Sequence, residues 1–291
     1  MSLLTAIIPH YNSLESLDNL LLDLTSVDGV SSIVIDDSSN DQSSLKALKL
    51  KYSMVNFLSN EGENSAGTCR NIGLKNVKSD WVTFIDADDK VNVIELKKII
   101  DQLQQYHIYD ILFSCPSSVK IDGNSSNRTI AYSYLYKKAK LGIDDILYWF
   151  HVPWSKIYRT SFLRTNNIRF SETLVSNDVI FSLTAGVFCQ KYKLLNENFY
   201  TVVESSTSLT SVKTRSNDRI LTRIDVLEEY NSILDRHKKS AYKIPRFIYI
   251  VKLPFVSAMQ YIFEKGIFAL FSDFSVYYLC DKFKRLVIKA K

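Results

Sequence analysis

The strongest constraint on the fold is a fourfold alternation across the first 106 residues: an apolar run, a polar loop, then a stretch with helical spacing. Residues 3–8 are apolar and rich in β-formers, and after Pro9-His10-Tyr11-Asn12 an amphipathic pattern covers 14–24. Residues 32–35, the loop Asp36-Asp37-Ser38-Ser39-Asn40-Asp41 and 42–50 repeat the unit. It recurs over 54–58, 60–64 and 65–74, and a fourth strand at 81–85 leads to a helix over 93–106. Strands separated by helix-length segments predict a mostly parallel sheet with helices on both faces, because parallel neighbours need crossovers that lie over the sheet. Ligands of such sheets bind beyond the carboxyl ends of the strands. The loops predicted at those ends carry Asp36, Asp37, Arg70, Asp86, Asp88 and Asp89, so chemistry is expected on one edge.

The run Trp81-Val-Thr-Phe-Ile-Asp86-Ala-Asp88-Asp89-Lys90 ends a strand in three carboxylates. Left unpaired, such groups raise one another's pKa, and hard oxygen ligands of this kind suit Mg²⁺ or Mn²⁺. Aspartate is also a common turn and helix N-cap residue, and a helix is expected to begin near Val93. In Ser65-Ala-Gly-Thr-Cys-Arg70-Asn, small residues open a helix whose N-terminus would suit a phosphate, with Arg70 supplying charge. Close helix–sheet packing with a surface arginine is the competing explanation. Neither GxGxxG nor GxxxxGK[ST] occurs.

Beyond a strand at 109–114, residues 116–127 interrupt the alternation with Ser, Asn and Gly. A helix over 141–150, the stretch Val152-Pro-Trp154-Ser-Lys156-Ile-Tyr-Arg, a helix entered at Asn177-Asp178-Val179, and apolar pieces at 192–195 and 199–203 follow. From Asn217 onward the pattern is helical. The expected organisation is therefore a domain over 1–215, with halves 1–114 and 115–215, and a helical region over 216–291. Cys69, Cys115, Cys189 and Cys280 stand far apart with no CxxC pair, which points away from zinc and disulfides and toward a reducing cytoplasm. No signal-like start and no apolar run of the ~20 residues a membrane span needs is present.

Four stretches together carry a family resemblance: Ala6-Ile-Ile-Pro-His-Tyr-Asn, Ile33-Val-Ile-Asp-Asp-Ser-Ser-Asn-Asp, Ser65-Ala-Gly-Thr-Cys-Arg-Asn-Ile-Gly-Leu and Phe84-Ile-Asp-Ala-Asp-Asp. In order and spacing they resemble family 2 of the nucleotide-sugar glycosyltransferases, and a weaker likeness continues through Trp154-Ser-Lys-Ile-Tyr-Arg and Asn177-Asp178-Val-Ile-Phe to about residue 212. The resemblance implies the GT-A fold, a Rossmann-like α/β architecture with a mixed, mostly parallel sheet. It implies a donor side built from Pro9, Tyr11 against the base, Asp37 (or Asp36) bonded to the base, Arg70 facing the diphosphate or base, and Asp86 toward ribose and metal. Asp88 would ligate Mn²⁺ or Mg²⁺, and Asp89 would support or cap. Asp178 corresponds to the catalytic base that takes the acceptor's proton, the competing explanation being a plain N-cap. Asn177 stands where the family often has Glu. Trp154 and Lys156 resemble an acceptor-side segment.

The implied reaction is inverting transfer of a sugar from a nucleotide donor, UDP being favoured, to a saccharide or lipid-linked hydroxyl in cell-surface polysaccharide or glycolipid assembly. A silent sugar-nucleotide binder and a nucleotidyltransferase are the rivals; the second would carry a basic glycine-rich loop after the first strand, which Pro9-His-Tyr-Asn is not. The net charge of +5 is terminal, since residues 236–291 hold 12 Lys and Arg against three acidic residues, together with 12 aromatics. No nucleic-acid reader motif accompanies these charges. The tail is expected either to touch an anionic membrane surface or to pack as core or as a homodimer interface.

Overall fold

The computed structural model describes residues 2–204, 216–266 and 273–290, the last five without their side chains. The expected domain boundary near 215 lies outside the described residues. Ten strands form in chain order: β1 (Leu4–His10), β2 (Val30–Asp36), β3 (Asn56–Ser59), β4 (Trp81–Phe84), β5 (Lys90–Val91), β6 (Ile111–Phe113), β7 (Ser117–Lys120), β8 (Lys156–Arg159), β9 (Tyr192–Leu194) and β10 (Tyr200–Glu204). Seven make a central sheet in the order β3-β2-β1-β4-β8-β6-β9. β1 runs parallel to both β2 and β4, while β8 is antiparallel to β4 and β6, so the sheet is mixed but mostly parallel as expected. β1 and β4 are buried on both faces, which is why they read as continuous apolar runs.

The topology positions the site. The chain builds β1, β2 and β3 outward in one direction, then returns to place β4 on the other side of β1. The carboxyl ends of β1 and β4 therefore face a topological switch, where an open parallel sheet offers a crevice. A second sheet, β5-β10-β7, stands beside this point, and the residues between β4 and β5 are Ile85, Asp86, Ala87, Asp88 and Asp89. That loop passes from one sheet to the other.

Two helices approach unusually closely where small residues allow it. On the helix Ala66–Asn76, a Cβ at Gly73 would stand 2.5 Å from Cγ2 of Ile7 on β1. On the helix Val179–Phe188, a Cβ at Gly186 would stand 1.7 Å from the Leu147 carbonyl oxygen of the short helix Asp145–Trp149. The helix expected over 141–150 is thus only Asp145–Trp149, begun afresh after the left-handed Gly142. A helix at Ile130–Ala139 was not legible: its Tyr- and Ile-rich start is a weak helix former, and packing of Leu135, Tyr136 and Ala139 holds it instead.

The C-terminal region is helical where described, and part of it belongs to the main core. Val226, Leu227, Tyr230, Ile233 and Leu234 of the helix Asn217–Arg236 join the same apolar cluster as the sheet, as do Ile244 and Tyr278. Tyr230 donates its hydroxyl to the Tyr148 carbonyl at 2.8 Å, and the Asn231 amide exchanges two hydrogen bonds with the Ile244 backbone. Lys138 joins Asp145 to Asp281 of the helix Val276–Ala290, and Tyr277 bonds Asp145 at 2.7 Å. Among the described residues no helix is long and apolar enough to cross a membrane, and the four cysteines are free.

Gly186→Ala should destabilise the protein. The clash is with backbone and cannot be relieved by a rotamer, so it outweighs the ~1 kcal/mol that alanine gains over glycine in a helix, for a net loss of about 1–2 kcal/mol or more. A denaturation midpoint that stays level or rises contradicts this packing.

Candidate active site

The loops after β1 and β2 are tied into one rim. Asn12, in the left-handed region at φ 51°, donates its backbone N–H to Ser39 Oγ at 2.9 Å and accepts from the Asn40 N–H at 2.8 Å. Asparagine tolerates that conformation because its side chain bonds locally. The result leaves Tyr11 53% exposed on the rim, as an aromatic face open to a ligand. Pro9 lies within β1 opposite Ile35 and shapes the approach to the loop.

The two adjacent aspartates separate in role. Asp36 is buried and accepts from the Ser39 N–H (3.3 Å) and from Gln42 Nε2 (3.1 Å), so it builds the loop. Its other oxygen faces Nε2 of the buried His10 at 4.0 Å; burial lowers the His10 pKa, with Asp36 acting the other way. Asp37 is half-buried, and its Oδ1 accepts from Asn60 Nδ2 at 2.6 Å. Of the pair, Asp37 is the one placed to meet a ligand at the rim. Asn60 also receives the Gly62 N–H and holds the Glu63 carbonyl, a role for which sequence offered no signal.

The small residues of the Ser65–Asn71 segment admit a neighbouring stretch of chain. The segment clamps that loop. A Cβ at Gly67 would meet the Ser171 carbonyl at 2.2 Å and Asn177 Cβ at 2.9 Å, so glycine lets residues 171–177 lie against the helix start. Asn71 exchanges two hydrogen bonds with the Phe170 backbone, each 2.9 Å. Arg70, expected to face the diphosphate or base, is instead 6% exposed, lies over the Phe170 ring, and divides its guanidinium between Asp86 (2.7 Å) and Asn177 (3.0 Å).

The three carboxylates after β4 also differ. Asp86 is paired with Arg70, and its backbone N–H reaches the Tyr200 hydroxyl at 3.2 Å. Asp89 is buried and accepts from Tyr200 (2.5 Å) and from the Val203 N–H (2.8 Å), which fastens the loop to β10; burial and then Asp86 raise its pKa. Asp88 is exposed and takes no side-chain hydrogen bond from any described residue. Surrounding protein and then the charge of Asp86 push its carboxyl upward, the condition in which a carboxylate gains most from a proton or a cation. Two carboxylates alone are few ligands for a hard cation, and among the described residues no group of three or more acidic, His or Cys side chains is placed to hold a metal. Asp86 and Asp88 are hard oxygen ligands of the kind that suits a divalent ion, and they would leave most of its coordination to ligands from outside the chain.

Asp178 opens the helix Val179–Phe188 but makes no side-chain capping bond. Capping therefore does not account for it. Burial raises its pKa, Arg70 and Lys156 oppose the shift, and Asp86 adds to it. Trp154 and Lys156, expected on the acceptor side, are both buried. Trp154 stacks on Tyr200 with the rings 5.5 Å apart and 5° from parallel, and Lys156 donates to the Phe150 carbonyl at 2.6 Å. Burial drives the Lys156 pKa well down, with Asp178 opposing. Tyr200, which joins Trp154 to Asp86 and Asp89, went unnoticed in the sequence because one tyrosine in a β-rich stretch carries no distinguishing pattern.

Comparison with known proteins follows the same lines. Residues 5–166 match the family described as Glycosyl transferase family 2. The chain is 27% identical over 204 residues to the poly(ribitol-phosphate) beta-N-acetylglucosaminyltransferase TarS of Staphylococcus aureus, a match covering 67% of this chain and 34% of that protein. It therefore spans about a third of that relative's length. It is 24% identical over 254 residues to the poly(ribitol-phosphate) beta-N-acetylglucosaminyltransferase TarP of the same organism, covering 84% of this chain and 75% of TarP. The crystal structure of S. aureus TarS 1–349 in complex with UDP-GlcNAc superposes with a TM-score of 0.69 at 22% identity, over 93% of this chain and 82% of that one, which is a likeness of fold.

The Arg70–Asp86 pair has its arginine buried and its aspartate part-exposed, so cutting it leaves a charge inadequately compensated. Arg70→Gln should lower stability by about 1–3 kcal/mol. Combined with Asp86→Asn, the loss should be smaller than the sum of the single losses, measured as a double-mutant cycle on denaturation midpoints. Additive losses contradict the pairing.

Proposed function

The chain belongs to glycosyl transferase family 2, and on that premise we propose that it is an inverting transferase that moves a sugar from a nucleoside diphosphate, UDP being favoured, to an acceptor hydroxyl in cell-surface polysaccharide or glycolipid assembly. The observation that carries the reading is the Asp178 carboxylate. It follows directly on Asn177, which Arg70 holds, feels the opposing charges of Arg70 and Lys156, and is not spent on capping. In the proposed step Asp178 takes the proton of the acceptor hydroxyl as the oxygen attacks the anomeric carbon. The bond from that carbon to the diphosphate breaks, and the nucleoside diphosphate leaves with the electron pair. Tyr11 and Asp37 would hold the base, an N–H of which Asp37 accepts; uracil offers that N–H and unprotonated cytosine does not. Asp88, with Asp86, would hold Mn²⁺ or Mg²⁺, whose charge would stabilise the departing diphosphate. Arg70 aligns Asp86 with the base loop and keeps positive charge beside both.

A face of the helix Phe255–Lys265 supports a membrane-surface location for a lipid-linked acceptor. Phe255, Val256, Met259 and Phe263 are exposed on it, Phe263 to 92%, with Lys252 and Lys265 at its ends. Basic side chains gain about 1 kcal/mol each near anionic headgroups, and that attraction is screened within ~8–10 Å at physiological salt. Flotation with anionic vesicles at low salt, lost at high salt and weakened in Phe255→Ser/Phe263→Ser, is expected. Failure to float at any salt removes this part of the proposal.

The activity is tested by nucleoside diphosphate release from UDP-GlcNAc and other nucleotide sugars with Mn²⁺. Asp178→Asn should slow transfer by ~10²–10⁴ with donor affinity retained. Its thermal midpoint should hold or rise, because the substitution removes a charge that burial disfavours and no capping bond is lost. A base must be deprotonated to act, so the wild-type rate should fall as pH drops through the raised Asp178 pKa, with its acid limb above the ordinary aspartate value of about 4. A variant with wild-type turnover, or one that loses donor binding in proportion, contradicts the role.

A further inference from the structure

A cavity of about 210 Å³ lies between the helices Ile130–Ala139, Asn217–Arg236, Phe247–Ile250 and Val276–Ala290. Ser176 and Val179, which flank Asp178 in the chain, form part of its wall, so the cavity lies beside the residue that would take the acceptor's proton. Two guanidinium groups line it, Arg223 and Arg285, and no carboxylate does. Arg223 is half-buried over the Tyr249 ring at 5.9 Å and forms no ion pair with any described residue. Arg285 is ion-paired through Nε to Asp281 at 2.8 Å and lies 5.4 Å from the Trp149 ring, while its terminal nitrogens donate no hydrogen bond to a described residue. His151 lines the wall too, and burial followed by Lys156 and Arg285 lowers its pKa to about 3, so it adds no charge at neutral pH.

We infer that this cavity binds a phosphate group of the acceptor, with Arg223 and Arg285 as its ligands, and so selects acceptors that carry a phosphodiester or diphosphate next to the hydroxyl presented to Asp178. The inference rests on the glycosyl-transfer reading for the place of the reacting hydroxyl. The anion site itself rests on the two arginines. Guanidinium groups lining one cavity, with terminal N–H groups that meet no acceptor among the described residues, match phosphate oxygens better than they match neutral hydroxyls. The cavity is smaller than the roughly 300–1,000 Å³ of a site that swallows a whole ligand, which suits one charged unit of a longer molecule whose remainder lies outside. The C-terminal helices thereby acquire a part in acceptor binding, because the two arginines come from Asn217–Arg236 and Val276–Ala290, whereas the groups assigned to the donor come from the first 90 residues.

The test titrates the full chain with two probes, a synthetic ribitol-phosphate oligomer and an N-acetylglucosamine diphosphate carrying a short lipid, beside a neutral oligosaccharide control and UDP-GlcNAc. At least one phosphate probe should bind and the neutral control should not. Arg223→Gln and Arg285→Gln should each weaken that probe about tenfold or more, Arg223→Lys should retain part of the affinity, and UDP-GlcNAc binding should be unchanged in all three. Arg223 is half-exposed and Arg285 holds Asp281, so Arg223→Gln is the decisive variant if Arg285→Gln unfolds, with a thermal midpoint as control. Binding of the oligomer alone assigns the site to a polyol-phosphate chain, and binding of the lipid alone assigns it to a membrane-borne diphosphate. No binding of either phosphate probe, or binding that Arg223→Gln leaves intact, overturns the inference. Arginine-dependent phosphate binding in a protein that never turns over any donor leaves the anion site standing and removes the transferase reading.

Discussion

The buried guanidinium of Arg70 is the constraint on which the site depends. A single arginine withdrawn from water must be paired on both sides, and here its two ends meet Asp86 after β4 and Asn177 before the helix of Asp178. Those two segments lie far apart in sequence and in different halves of the domain. Gly73 lets the helix of Arg70 sit against Ile7, Gly67 lets the 171–177 loop sit against that helix, and Asn71 fixes the Phe170 backbone. One helical turn thus sets the distance between the carboxylates that would face the donor and the carboxylate that would face the acceptor.

Around that pairing the acidic residues are sorted by environment. Asp36 and Asp89 are buried and spend their oxygens on neighbouring N–H and O–H groups, which makes them supports. Asp86 is neutralised by Arg70. Asp88 stays exposed and Asp178 stays without a capping bond, and both have pKa values pushed upward. Groups whose pKa is shifted by surrounding protein and neighbouring charge concentrate where chemistry needs them. Tyr200 carries the loop of Asp86 to Asp89 across to the second sheet and stacks on Trp154, which ties the segment before β8 to that loop.

Much of this was legible in the sequence, and the limits have physical reasons. The parallel sheet followed from apolar runs separated by helical periods, and its acidic edge from aspartates at strand exits. Local signals sufficed there, because each unit is short and capped by its own residues, as Asp41, Ser65 and Asn92 illustrate. What sequence could not supply were pairings across long separations. Arg70 read equally well as a phosphate ligand or a surface charge because its partner Asn177 is 107 positions away. Lys156 gave no sign of being buried, since its ammonium is satisfied by one backbone carbonyl, and the helix Ile130–Ala139 is held by packing rather than by its own propensity. The basic, aromatic tail was read as membrane contact or core, and it divides: Tyr278 and Ile244 are core, whereas Phe255 and Phe263 face outward.

The central claim of the proposal is that Asp178 acts as the general base of a single displacement, while Asp86 and Asp88 would serve the metal rather than attack the sugar. A single displacement inverts the configuration at the reacting carbon. The direct measurement is the anomeric configuration of the transferred sugar in the isolated product, read from its proton NMR coupling. The account predicts inversion, a β-linked product from an α-linked nucleotide sugar. A product that retains the donor's configuration would contradict it.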